Sequence, residues 1–203
     1  MPTILLTGAT DGLGRAVAGR LAASGATLLL HGRDPGRLDA VVSALPGSRP
    51  FVADLSSLAE VRGLAAAVLS TVDRLDVLVN NAGVGSGLPA GRERAESRDG
   101  HELRFAVNYL APFLLTQSLL PLLLASGPAR IVHVASLGQH PLDFGDLMLE
   151  RDYTGQRAYR QSKLAQIISG FELASRLPAS AVTVNSLHPA TFMPTKIVLE
   201  EHG

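Results

Sequence analysis

The feature that most constrains this chain is a glycine-rich turn over residues 7–14, between an apolar run and an amphipathic segment. The run Thr3–Leu6 predicts a buried strand, and Leu13, Val17 and Leu21 recur every four residues on what would be one helix face. Glycines let a backbone approach a ligand closely, and the N–H groups at a helix N-terminus attract an anion. The turn therefore indicates a phosphate site, although plain strand-to-helix connections also use glycine.

The spacing of the glycines, Gly8-xxx-Gly12-x-Gly14, differs from the GxGxxG of the best-known dinucleotide fingerprint. Taken alone, the turn leaves a nucleotide site and an ordinary connection equally open. Composition limits the classes of protein to which the chain could belong. A chain of 203 residues, 46% of them hydrophobic, is large enough for one complete core, and a net charge of +0 gives no field that would favour nucleic acid.

The chain has no cysteine, which excludes disulfides, iron–sulfur clusters and thiolate zinc sites and is compatible with a reducing cytoplasmic compartment. We expect no apolar run of the ~18 residues that a membrane span needs, and no signal peptide. The six histidines are scattered, so we expect no metal site and structural roles for His133 and His188. The sequence therefore predicts one cytoplasmic domain over residues 1–203.

Apolar runs alternate with helical patterns along the whole chain. Because each connection is long enough for a crossover, the pattern predicts an α/β fold, a doubly wound parallel sheet with helices on both faces and strand order 3-2-1-4-5-6. The predicted strands cover residues 3–6, 27–31, 51–53, 76–79, 130–135 and 181–187.

Two segments between these strands are distinctive. Residues 85–100 are rich in Gly, Arg and Glu without periodicity, which predicts a mobile surface loop. Residues 102–124 predict one long helix, with a kink at Pro112 just after Asn108. A buried amide needs partners, so Asn108 is either a structural hydrogen-bonding residue or part of a site.

Polar residues follow the second, third and fourth strands, at the edge where parallel sheets bind ligands. Arg33 suits a 2′-phosphate, which favours NADP over NAD, with Asp34 as a helix N-cap; a solvated loop charge is the alternative for Arg33. Asp54 could accept from an adenine amine or act as a second capping group. The two asparagines and two small residues of Asn80-Asn81-Ala82-Gly83 suit a backbone packed against a flat ligand, or an ordinary turn.

Four more polar residues converge at the same predicted edge: Asn108, Ser136, Tyr159 and Lys163. Tyr159 and Lys163 are four apart and share a helix face. A free tyrosine has a pKa of ~10, and a neighbouring ammonium lowers it, as proton exchange with a carbonyl or alcohol oxygen would need. Ser136 could hold that oxygen, and Asn108 a water. An amphipathic helix surface is the alternative for the Tyr–Lys pair.

In this order the motifs resemble the short-chain dehydrogenase/reductase superfamily over about the whole chain. The stretches 99–103, 107–110 and 158–165, and the 23-residue step from Ser136 to Tyr159, are similar to its retinol-dehydrogenase-like branch. The resemblance implies Tyr159 as general acid/base, with Lys163, Ser136 and Asn108 completing a tetrad. It implies that NADP(H) contacts Tyr159 and Lys163 together with Gly8, Thr10, Asp11, Gly12, Leu13, Gly14, Arg33, Asp54, Leu55, Asn81, Ala82 and Gly83.

The chain departs from the family pattern in two places. It has Pro189-Ala190 where Pro-Gly is usual, and the threonine expected nearby is either Thr191 or Thr195. Relatives continue past the position of Gly203 with a helix and a seventh strand, so we expect a minimal or truncated version, and a possible homo-oligomer. The resemblance implies an oxidoreductase for a small carbonyl or alcohol substrate, and a non-catalytic NADP(H) sensor is the alternative.

Overall fold

The computed structural model describes residues 1–87 and 93–189, and there six strands alternate with helices. All six strands are parallel, in the order β3-β2-β1-β4-β5-β6, so the predicted doubly wound sheet is confirmed. The elements are β1 (Thr3–Leu6), α1 (Gly12–Ala23), β2 (Thr27–Gly32), α2 (Pro35–Ala44), β3 (Arg49–Val52), α3 (Leu58–Thr71), β4 (Val77–Asn80), α4 (Leu103–Phe105), the π-turn (Ala106–Leu110), α5 (Ala111–Ser126), β5 (Ala129–Val134), α6 (Gly155–Arg176) and β6 (Val182–Leu187).

Side chains set where the helices begin. Asp34 accepts a hydrogen bond from the Arg37 N–H at 2.9 Å, which confirms the predicted N-cap of α2. Ser57 accepts from the Glu60 N–H at the start of α3, and Thr154 accepts from the Arg157 N–H at the start of α6. These bonds satisfy N–H groups that have no partner inside the helix.

Apolar residues cover both faces of the sheet, as a parallel sheet requires. Successive residues of β1 and β2 point to opposite faces, so Leu5 and Leu29 pack with α3 and α5, whereas Leu6 and Leu30 pack with α1 and α2. All four are fully buried. The polar residues after each strand are thereby left together at the carboxyl edge.

The predicted long helix is interrupted before its proline. The Ala111 N–H donates to the Ala106 carbonyl, five residues back, so one π-turn separates α4 from α5. Pro112 has no N–H with which to bond the carbonyl of Asn108. The helix was expected to kink at Pro112, after Asn108; instead the irregular turn covers Ala106–Leu110 and includes Asn108.

The helical run Leu103–Ser126 contains an 18-residue window with a mean hydropathy of 1.5, so by length and composition alone it could cross a membrane. The expectation that no segment passes this test is therefore wrong. Leu115, Leu119 and Leu123 are buried in the core with residues of α3 and the sheet. Of the apolar window in this run 39% is buried inside the domain, whereas Phe113 and Leu124 are exposed.

The expected mobile loop is anchored over its second half. The Arg98 N–H donates to the Ser56 carbonyl at 2.9 Å, and Asp99 accepts from the Leu58 N–H at 2.7 Å. The prediction is wrong for residues 93–100 because the partners lie some 40 residues away in sequence, where local composition carries no signal. Residues 88–92 lie outside the described part.

Candidate active site

The glycine turn after β1 has no room for a side chain at Gly8 or Gly14. Gly8 has a φ of +67° and Gly12 a φ of +48°, both in the left-handed region that favours glycine. A Cβ on Gly14 would lie 2.0 Å from the Gly8 carbonyl oxygen. Asp11 caps α1 by accepting from the Gly12 N–H at 2.7 Å. The bare backbone at the N-terminus of this 12-residue helix fits a pyrophosphate.

The end of β4 is locked against this turn. The Thr7 hydroxyl oxygen accepts from the N–H groups of Asn81 and Ala82 at 3.0 and 3.1 Å. The Asn81 amide donates to the carbonyls of Thr7 and Gly8 at 2.9 and 3.1 Å. A Cβ on Gly8 would lie 2.8 Å from Ala82 Cα, so the two segments touch through their backbones.

His31, the last residue but one of β2, is a site residue that the sequence reasoning missed. Its Nδ1 accepts from the Gly8 N–H at 3.2 Å and its Nε2 donates to the Ala53 carbonyl at 3.0 Å. The ring is buried, and burial lowers its pKa below 6.5. Neutral His31 thus links the glycine turn to the end of β3. Its only sequence signal is a polar residue within the apolar run 27–31.

The residues after β2 and β3 form the side expected for the adenosine. Arg33 is exposed, and no carboxylate among the described residues lies within ion-pair distance of it. Asp54 accepts from the Ser56 N–H at 2.9 Å, and its Oδ2 lies 3.4 Å from Arg98. Burial raises the pKa of Asp54, but these bonds and the charges of Arg98 and Arg33 bring it below its ordinary value. Leu55 beside it is buried, and Asp54 has a structural role whether or not it meets an adenine.

Lys163 of α6 is buried below the carboxyl edge. Its Nζ donates to the Val134 carbonyl at 2.7 Å and lies 5.9 Å from the centre of the Tyr159 ring. Burial lowers the pKa of Lys163 to about 8. A Cβ on Gly83 would lie 3.6 Å from this Nζ and 3.1 Å from Asn108 Oδ1. The structure therefore brings Lys163, Asn108 and Gly83 together.

Asn108, in the π-turn, is fully buried and fixes the chain after β4. Its Oδ1 accepts from the Val84 N–H at 2.8 Å, and its Nδ2 donates to the Val84 carbonyl and the Ser162 hydroxyl, both at 3.0 Å. Both amide hydrogens are used, so a water held by Asn108 has the main-chain carbonyl as its natural partner. That role stays a prediction.

Ser136 and Tyr159 are both half-buried at the same edge. The Ser136 oxygen accepts from the Gly138 N–H at 3.1 Å. A Cβ on Gly138 would lie 3.6 Å from this oxygen and 3.4 Å from Arg160 Cγ, which places Ser136 beside the first turns of α6, where Tyr159 lies. Ala190, Thr191 and Thr195 fall outside the described residues.

His133 of β5 lies behind the site. Its Nδ1 is 3.2 Å from the Asn80 amide, and burial together with the charge of Lys163 lowers its pKa to about 4. It has the structural surroundings expected from the sequence. Among residues 1–87 and 93–189, no three His, Asp or Glu side chains are grouped to hold a metal ion.

Comparison with known proteins gives concordant matches. A family model described as short chain dehydrogenase matches residues 2–201. Human retinol dehydrogenase 13 is 39% identical over 196 residues, which cover 92% of this chain and 58% of that protein. The chain thus spans 50% to 60% of the length of the curated relatives it matches.

Solved structures match over nearly the full chain. A crystal structure from Mycobacterium paratuberculosis has a TM-score of 0.82 and 32% identity, covering 98% of this chain and 72% of that one. The Pseudomonas aeruginosa RhlG/NADP active-site complex has a TM-score of 0.74 and 30% identity, covering 97% of this chain and 74% of that one.

Proposed function

This chain belongs to the short-chain dehydrogenase family, in its retinol-dehydrogenase-like branch, and we propose that it is an NADP(H)-dependent oxidoreductase for a carbonyl/alcohol pair. The observation that carries the proposal is the position of Lys163. A buried ammonium lies 5.9 Å from the Tyr159 ring and within reach of Gly83, at the edge next to the glycine turn. Burying a cation this deeply is costly, so its place beside a tyrosine favours a chemical role.

The cofactor-binding residues of this proposal follow the carboxyl edge. The turn from Gly8 to Gly14 would hold the pyrophosphate, Asp54 and Leu55 would border the adenine, and Asn81 to Gly83 would border the adenosine. The preference for NADP rests on Arg33, an exposed guanidinium at the end of β2, and RhlG, a similar structure, carries NADP. When bound, the nicotinamide group supplies or accepts the hydride.

The side chains of this chain would handle the proton. In the reducing direction the Tyr159 hydroxyl gives its proton to the carbonyl oxygen, which the Ser136 hydroxyl orients by a hydrogen bond. The Lys163 ammonium, with a pKa of about 8, is mostly charged at neutral pH and stabilises the resulting phenolate. Asn108 holds the wall at Val84 in place and offers a carbonyl to the water that would return the proton.

The test is Tyr159→Phe, which keeps the ring and removes the proton donor. We expect turnover to fall by roughly 10²–10⁴-fold with NADPH affinity retained. The assay follows NADPH absorbance against a panel of aldehydes, ketones and alcohols and is repeated with NADH. Turnover in the variant equal to that of the parent would remove the enzyme proposal in favour of the non-catalytic NADP(H) sensor, and equal rates with NADH would remove the cofactor preference.

A homo-oligomer and a cytoplasmic location belong to the same proposal. The outer sides of α5 and α6 expose Phe113, Ile168 and Phe171, the last to 73%, and apolar patches of this kind mark association surfaces. The absence of cysteine suits a reducing compartment. Light scattering during size-exclusion chromatography tests the first, and cell fractionation the second.

A further inference from the structure

Arg104 of α4 is an arginine with a completely buried side chain. Its Nε donates to the Gly85 carbonyl at 2.9 Å and its Nη2 to the Ser86 carbonyl at 3.0 Å. Its Nη1 donates to the Tyr153 hydroxyl at 2.5 Å and lies 3.5 Å from Glu102 Oε1. The planar guanidinium thus contacts three separate chain segments at once, which a lysine could not do.

The partners of Arg104 are themselves fixed. Glu102 is buried, and its Oε2 accepts from the Phe105 N–H at 2.6 Å. The Tyr153 hydroxyl donates to Glu102 Oε1 at 3.3 Å. Burial and the charge of Glu102 raise the pKa of Tyr153 to about 12, so its hydroxyl keeps its proton. Because desolvating the two charges offsets most of their attraction, a buried ion pair adds little to the stability of the fold. Its hydrogen bonds do fix the relative positions of the segments that carry them.

The segments joined by this network are the two walls of the candidate active site. Gly85 and Ser86 follow Asn81–Gly83, and Asn108, one helical turn beyond Arg104, holds Val84. Val84, Gly85 and Ser86, three successive residues after β4, therefore all bond to side chains of α4 and the π-turn. On the other wall, Tyr153 directly precedes Thr154, the N-cap of the helix that carries Tyr159 and Lys163.

We propose that Arg104, with Glu102 and Tyr153, is a positioning group that sets the first turns of α6 against the chain leaving β4. It acts through Tyr159 and makes no contact with substrate. The inference rests on the proposed function, since the distance it sets is the one between the Tyr159 hydroxyl and the chain leaving β4. Losing it shifts the proton donor while the glycine turn, on the far side of β4, keeps its cofactor contacts.

The decisive variant is Tyr153→Phe, which keeps the ring and removes the hydroxyl that links the two walls. We expect kcat to fall about tenfold, with a larger primary deuterium isotope effect from deuterated NADPH, because misplacing a reacting group slows the chemical step. NADPH affinity should stay within about twofold. Amide hydrogen exchange of the cofactor-free protein should rise in residues 81–86 and 154–159. Arg104→Lys, which keeps the charge but loses the planar fork, should show the same pattern.

The matched control is Tyr109→Phe, which removes a hydroxyl from another partly buried tyrosine, one that makes no hydrogen bond with a described residue. It should leave kcat, the isotope effect and exchange unchanged. Unaltered kcat and exchange in Tyr153→Phe would overturn the inference, as would a variant that loses NADPH affinity, melting temperature and kcat together. A parent protein that transfers no hydride to any substrate of the panel would defeat the proposed function instead, and the exchange data would still decide whether Tyr153 joins the two walls.

Discussion

The two halves of the carboxyl edge are held together by different kinds of contact. Around β1–β3, the bonding groups are neutral. The His31 ring and the amide of Asn81, which reaches across from the end of β4, bond the backbone of the glycine turn, and the Thr7 hydroxyl accepts from the N–H groups of Asn81 and Ala82. Around β4–β6, the groups are charged and buried: Lys163 is 4% exposed, and the side chains of Glu102 and Arg104 are 1% and 0% exposed. The first half has no room for a side chain at Gly8 or Gly14, and the second depends on buried charged side chains.

This difference separates two ways of building a site. Burying a hydrogen bond between neutral groups costs little free energy. The first half can therefore be packed so closely that Gly8 and Gly14 leave no space for a Cβ. A buried charge must have its partners in place, so the second half is specific about which side chain stands where. We therefore expect the first half to be most sensitive to added volume and the second to be more sensitive to protonation.

The largest effect should come from adding one methyl group to the tightly packed half. In Gly14→Ala, the new Cβ would meet the Gly8 carbonyl oxygen at 2.0 Å and Asn81 Nδ2 at 2.6 Å, so backbone must move. We expect NADPH binding to be lost and the free energy of unfolding to fall by about 3 kcal/mol. Fluorescence titration and denaturant unfolding measure both quantities.

The control on the same helix is Gly19→Ala, where nothing lies within 4 Å of the added Cβ. It should bind NADPH normally and gain about 0.5–1 kcal/mol, since alanine favours helix. Similar NADPH affinity in the two variants would contradict the picture of a turn closed to side chains.

An intermediate effect is expected from acid on the charged half. The pKa of His133 is about 4 in the folded chain and 6.5 when unfolded, so between these values the unfolded chain takes up the proton first. The free energy of unfolding should therefore decrease as pH falls, by about 2 kcal/mol between pH 7 and pH 5 from this group. In His133→Gln, urea unfolding at several pH values should show a correspondingly weaker pH dependence. The same slope in both proteins would mean that His133 is not held neutral.

The smallest effect should come from the exposed rim of the neutral half. Arg33→Gln removes a guanidinium that no described carboxylate engages, so the fold should be unaffected. We expect NADPH affinity to fall roughly tenfold with NADH affinity unchanged, because only NADPH carries the 2′-phosphate. Titration with each cofactor measures the ratio. Equal losses for both would assign Arg33 some role other than phosphate recognition.

The same comparison explains what the sequence could predict. The strand order and the position of the glycine turn between β1 and α1 depend on neighbouring residues and on periodicity, and these two predictions were confirmed. Arg104 and Tyr153 are 49 residues apart in sequence. In the sequence alone, an arginine such as Arg104 is indistinguishable from an arginine on the surface. His31 was missed for the same reason, because its partners Gly8 and Ala53 follow two other strands and are 23 and 22 residues away in sequence.

For the site residues predicted from the sequence, the structure gives positions but not chemical roles. The structure brings Asn108, Lys163 and Gly83 together, as the resemblance implied, but their chemical roles remain predictions. The π-turn was not foreseen, because local patterns distinguish helix from loop more readily than one helical hydrogen-bonding register from another.

In a parallel sheet, ligands bind at the carboxyl ends of the strands, so the edge formed by the amino ends lies away from the site. The amino ends of the strands lie opposite both halves of the site, and the turn between α2 and β3 is at that end. There Gly47 has a φ of +88° and open space around it. A fluorophore or an affinity handle inserted at this turn would report on the molecule from a distance, which makes it the natural place to attach a reporter for cofactor titrations.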